Sequence, residues 1–95
     1  MRVEFHPAAQ AEAEDAQEWY EERSLLAAAG FLRALSDAIR RAVEAPDRYP
    51  QADPGTRRVT LDRFPFTVFY RIQSDVLLVV AVAHQKRRPG YWAAR

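Results

Sequence analysis

The chain has 95 residues, 48% of them apolar, with 2 Trp, 4 Tyr and 5 Phe, which is material for one hydrophobic core. It has no cysteine and two histidines, His6 and His84, which excludes disulfides and a thiolate metal site and argues against a structural zinc. The net charge of +1 hides an asymmetry: residues 1–47 hold five basic and ten acidic residues, residues 48–95 nine basic and three acidic.

A basic half either pairs with the acidic half across the fold or offers a surface to phosphate or carboxylate. No apolar run reaches the roughly 20 residues that span a bilayer. The chain opens on a strand-like segment and not on a signal peptide. The expected setting is the cytoplasm, with no membrane partner.

In RVEFH, residues 2–6, Val3 and Phe5 alternate with polar neighbours, which predicts a short strand. Pro7 suits the first turn of a helix, where its missing N–H costs nothing. Ala9, Ala13, Ala16 and Tyr20 follow at helical spacing among Glu, Asp and Gln, giving an amphipathic helix with a narrow alanine stripe. Its acidic stretch, EAEDAQEWYEE at 12–22, reads as a solvated face. Ser24 is a break and N-cap. A second helix is expected from about Leu26 to Ala45, with Phe31, Leu35, Ile39 and Ala42 on one face, widened by Leu32 and Val43. Pro46 ends it. PDRYPQADPG, 46–55, reads as a connector.

From Thr56 the period changes to two, predicting strands at 57–62, 66–73 and 76–84 with turns at Pro65 and Ser74-Asp75. Phe66, Val68, Tyr70 and Ile72 share one face of the middle strand; Thr67, Phe69 and Arg71 share the other. VLLVVAVA is apolar on both faces, as in a strand covered on both sides. The order β-α-α-β-β-β predicts an α+β fold, an antiparallel sheet with an N-terminal helical hairpin on one face, in a single domain 1–95.

HQKRRPGYW, 84–92, follows that strand at once. His84 can move protons near neutral pH, Arg87 can hold a phosphate through two parallel hydrogen bonds, and Tyr91 can stack on a base. Together they can align a 2′-hydroxyl on its own 3′-phosphate, a way to cut RNA without metal or cofactor. Arg58 and Arg71, with Lys86 and Arg88, can instead form a basic patch on the open face of the sheet. Trp92 is expected to fold the tail back over a sheet edge or core end.

The strand RFPFTVFYRI, the run AVAHQKRRPGYW, the strand-helix-helix opening and the P-D-R-Y-P connector resemble the RelE/ParE superfamily of toxins from bacterial type II toxin–antitoxin systems, over essentially the whole chain. The resemblance implies a toxin neutralised by a cognate antitoxin, meeting DNA only indirectly through that antitoxin. It implies one of two targets: DNA gyrase, inhibited by binding in ParE-like members, or the ribosome and its mRNA, cut by RelE-like members. Aligned on the RelE tail pattern, Tyr91 and Arg87 match the Tyr and the second Arg, and His84 falls on a Lys. Two RelE cations are missing, because they fall on Thr67 and Gln85. That departure favours the ParE-like reading, with Arg71, Lys86 and Arg88 as neighbouring cations; a member that has lost toxicity stands beside both.

Overall fold

The structure, a computed structural model, describes residues 1–52 and 55–95. Its elements are β1 (Arg2–Phe5), α1 (Pro7–Glu21), α2 (Leu25–Glu44), β2 (Gln51–Ala52), β3 (Thr56–Thr60), β4 (Phe66–Gln73) and β5 (Val76–His84). Both helices start where their caps dictate. The His6 ring nitrogen Nδ1 accepts from Ala8 N at 3.0 Å, with Pro7 in the first turn. Ser24 Oγ accepts from Ala27 N at 3.2 Å. Each satisfies a backbone donor that the helix itself cannot.

The five strands run in the order β1-β5-β4-β3-β2. Four are antiparallel neighbours, but β1 lies parallel to β5, with Arg2 opposite Val76 and Phe5 opposite Val79. The α+β class and the hairpin on one face are as expected; the wholly antiparallel sheet is not. Side chains alternate with period two in either direction, so the sequence pattern carries no sign of strand polarity. The other addition is β2, two residues inside the Pro-rich connector 46–55. Asp53 and Pro54 of that connector lie outside the described residues.

The helix side of the sheet holds the main core. Phe31, Leu35, Ala38 and Ala42 of α2 and Ala9 and Ala16 of α1 pack on Val59, Val68, Tyr70, Leu77, Val79 and Val82. Burying each large apolar side chain contributes about 1.5–3 kcal/mol. The R-F-P-F motif anchors its open end: Phe64 and Phe66 meet the Phe31 ring at 5.8 and 5.2 Å between centroids, and Tyr20 stacks on Phe31 at 5.5 Å. The Tyr70 hydroxyl donates to the Pro46 carbonyl at 2.7 Å, tying β4 to the end of α2.

β5 carries one extra residue. Phe69 faces Ala81 and Tyr70 faces Val79, which leaves Val80 unmatched in a bulge. Val80 and Ala81 both point away from the helices, into a second cluster with Trp92, Phe69 and Leu78. Beyond the bulge the alternation is inverted, so Val82 returns to the main core and His84 follows it to the helix side. Among the described residues no helix is long and apolar enough to cross a membrane.

Candidate functional site

β1 ends opposite Val79, and among the described residues no strand lies beside the rest of the β5 edge. Unpaired edge groups need partners. Glu12, from the acidic stretch of α1, supplies one: its carboxylate accepts from Val82 N at 3.0 Å. Arg95 supplies another, donating to the Val80 carbonyl at 3.1 Å. The two side chains also pair with each other, Arg95 Nη1 to Glu12 Oε1 at 2.9 Å and Nη2 to Oε2 at 3.1 Å, with both largely shielded from solvent. The Tyr91 hydroxyl donates to Glu12 Oε2 at 2.6 Å. One carboxylate therefore ties α1, β5 and residues 91–95 together. Burial pushes the Glu12 carboxyl up, but the bonds from Arg95, Tyr91 and Val82 and the Arg95 charge outweigh it, and the net shift is downward. Tyr91 moves the opposite way: burial, then its bond to Glu12 and the charge of that carboxylate, hold the phenol well above its ordinary value near 10.

Trp92 lies flat on Phe69, ring centroids 3.8 Å apart, and is buried against Val80 and Ala81 on the face away from the helices. The expected role of Trp92 in fixing the tail is what this contact performs. The turn before it uses Gly90 at φ 77°, a left-handed conformation that suits glycine. Arg71, expected as an open-face cation, donates to the Arg95 carbonyl at 2.6 Å and is drawn into the tail contact.

Two clefts flank this arrangement, each of about 420 Å³. The helix-side cleft has an apolar floor that includes Ala16, Tyr20, Phe66 and Val82, with His84 and Arg87 at its margin. The sheet-face groove runs between β2, β3 and the tail. Arg58, Arg87 and Arg88 line it, with Thr67, Gln85 and Gln51 between them, and no carboxylate is among its described walls. Arg57, the neighbour of Arg58, donates instead to the Tyr49 carbonyl at 2.8 Å and does not line the groove.

Of the three candidate catalytic side chains, His84 and Arg87 line the helix-side cleft together, and Tyr91 is engaged by Arg87 and Glu12. His84 opens to the helix side because of the bulge at Val80, its ring edge-on to Phe66 at 5.2 Å between centroids. Its Nδ1 accepts from Lys86 N at 3.1 Å, which assigns the proton of the neutral ring to Nε2. The Tyr91 hydroxyl is held by Glu12, and the Arg87 guanidinium lies over the Tyr91 ring, 3.9 Å from its centroid. Among the described residues, Arg87 alone lines both clefts. Lys86 is exposed and lines neither. Thr67 and Gln85, the positions where the RelE pattern carries cations, face the groove as neutral side chains.

Glu12 and Arg95 are the residues that the sequence reading left out. A signal for Glu12 was present: it sits at i+3 from Ala9 and i−4 from Ala16, on the alanine stripe and not on the solvated face.

The family model described as "ParE toxin of type II toxin-antitoxin system, parDE" matches residues 3–89. Among solved structures, a chain of the "Chromosomal ParDE TA system from P. aeruginosa" matches with a TM-score of 0.63 at 20% identity, covering 88% of this chain and 95% of that one, a likeness of fold. No curated protein matches the chain. With its element order, its sheet and nearly its whole length accounted for by one family, the chain belongs to the ParE toxins of type II toxin–antitoxin systems.

Proposed function

We propose that this protein is a single-domain cytoplasmic toxin that arrests growth by binding DNA gyrase and is neutralised by a cognate antitoxin. The observation that carries this reading is that Tyr91 and Arg87 are already engaged, the hydroxyl by Glu12 and the guanidinium by the Tyr91 ring. A nuclease needs its proton carrier, its phosphate ligand and its stacking ring around one reacting atom. Here the Tyr91 hydroxyl is given to Glu12 and the Arg87 guanidinium is stacked on the Tyr91 ring, so neither group is free to meet a nucleotide beside His84. What remains is a surface suited to gripping. Arg58, Arg87 and Arg88 line a groove with no carboxylate among its described walls, and Lys86 stands beside them. Such a groove favours an acidic protein surface. The test is gyrase supercoiling with the purified protein: loss of supercoiling, or cleaved DNA trapped on the enzyme, supports the reading, and unaffected supercoiling with no trapped DNA ends it.

One observation favours a second reading, metal-independent cleavage of mRNA on the ribosome. His84 and Arg87 share the helix-side cleft, where Arg87 would hold the scissile phosphate and His84 would move protons. Tyr91 would then have to exchange Glu12 for the nucleotide. Under this reading His84→Ala and Tyr91→Phe each abolish toxicity without unfolding the protein; toxic, well-folded variants count against it.

A further inference from the structure

We infer that Glu12 is a positioning residue for the basic groove, acting on Arg87 through Tyr91; this rests on the reading of that groove as the surface that grips the target. Arg87 is exposed, and among the described residues its guanidinium makes no ion pair. A free arginine in that position samples many rotamers. This one lies over the Tyr91 ring. The ring in turn has its hydroxyl fixed to Glu12 at 2.6 Å, and Glu12 is held by Val82 N and by both terminal nitrogens of Arg95. The line of contacts runs from the β5 edge to Glu12, to the Tyr91 hydroxyl, through its ring, and ends at Arg87, a cation that borders both clefts.

The carboxylate is required by its chemistry. Glu12 accepts four hydrogen bonds on two oxygens, all from donors. An ionised carboxylate accepts all four, whereas glutamine turns an NH₂ group toward at least one of those donors. The reach matters too, since the side chain spans from α1 to the strand edge, and aspartate is one methylene shorter. Holding Arg87 in advance removes the ordering cost that a free long side chain meets on binding, about two- to tenfold in affinity.

The experiment has two arms, both on the full chain. In the first, proton–carbon NMR follows the Arg87 Cδ protons, which the Tyr91 ring current moves upfield. Glu12→Gln and Tyr91→Phe should return them toward ordinary arginine values, while the Trp92 indole signal keeps the shift that Phe69 imposes and so reports an intact fold. Tyr91→Phe retains the ring and removes only the tether, which keeps the test decisive if Glu12→Gln does not fold. In the second arm, affinity for the gyrase holoenzyme is compared across Glu12→Gln, Arg87→Ala and Arg58→Ala and their doubles. Glu12→Gln and Arg87→Ala should each weaken binding about fivefold, their double should be no worse than Arg87→Ala alone, and Arg58→Ala should multiply with either. Unmoved Arg87 resonances in folded Tyr91→Phe, or multiplying effects of Glu12→Gln and Arg87→Ala, overturn the inference. Wild-type affinity in both Arg87→Ala and Arg58→Ala overturns the groove reading itself, a distinguishable failure because the Arg87 resonances still respond to loss of the tether.

Discussion

On the helix side, β5 lays Leu77, Val79 and Val82 against two helices and a set of interlocking aromatic rings. On the other side it lays Val80 and Ala81 against a single indole, Trp92, held by a turn and by the Glu12–Tyr91–Arg95 contacts. The first face is closed by many apolar side chains, and the loss of one leaves the rest in place. The second is closed by few groups, each with its own partner. The working surface proposed here lies on that second face, where a small change in a tail contact moves a cation.

The comparison predicts graded losses. Phe31→Ala removes the centre of the aromatic cluster, where Phe31 is fully buried, and should cost about 3–5 kcal/mol in urea unfolding. An equal loss from the tail would erase the contrast between the faces. Trp92→Ala should cost about 2–3 kcal/mol, since the indole covers one face of the sheet and is not enclosed by it. Trp92→Phe should lose less than its area implies, because the indole N–H is buried with no partner among the described residues.

Glu12→Gln should cost about 1–2 kcal/mol at neutral pH. Its pH dependence has a definite sign. The folded carboxyl titrates below its ordinary 4.5, so its stabilisation is complete above that pH and is lost as pH falls through the folded value. The gap between wild type and Glu12→Gln should therefore be full and constant above pH 4.5 and close as pH falls from 4.5 through the folded value; a gap that stays constant through that fall would mean that the carboxylate charge is not what holds the tail. The smallest effect belongs to Arg58→Ala. This side chain is exposed in the groove, and its stability should stay within about 0.5 kcal/mol of wild type while target binding weakens.

The sequence made one face of this molecule legible and not the other, for a physical reason. Helical spacing in α2 and alternation in β4 repeat over many residues, so Phe31, Leu35, Val68 and Tyr70 reveal the main core, and Ser24 and Pro7 mark the helix starts. The strands expected at 66–73 and 76–84 lie where the structure has them. The bulge at Val80 left no trace, because a strand apolar on both faces reads the same after a one-residue slip. That slip decides where His84 points. The Glu12 contacts join residues 70 to 83 positions apart, and no local pattern encodes such a distance. Tyr91 and Arg87 were singled out by residue type, but their union into a stacked pair was not, since it depends on a carboxylate hidden among the six acids of residues 12–22.

The central claim is that HQKRRPGYW serves a surface that grips and does not cut. The most direct test is primer-extension mapping of translated transcripts during brief induction of the protein without antitoxin. The account predicts growth arrest with transcripts intact at every codon. Cuts within codons that vanish when translation of the message is blocked would contradict it, and would make the bond of Tyr91 to Glu12 a resting state of a nuclease.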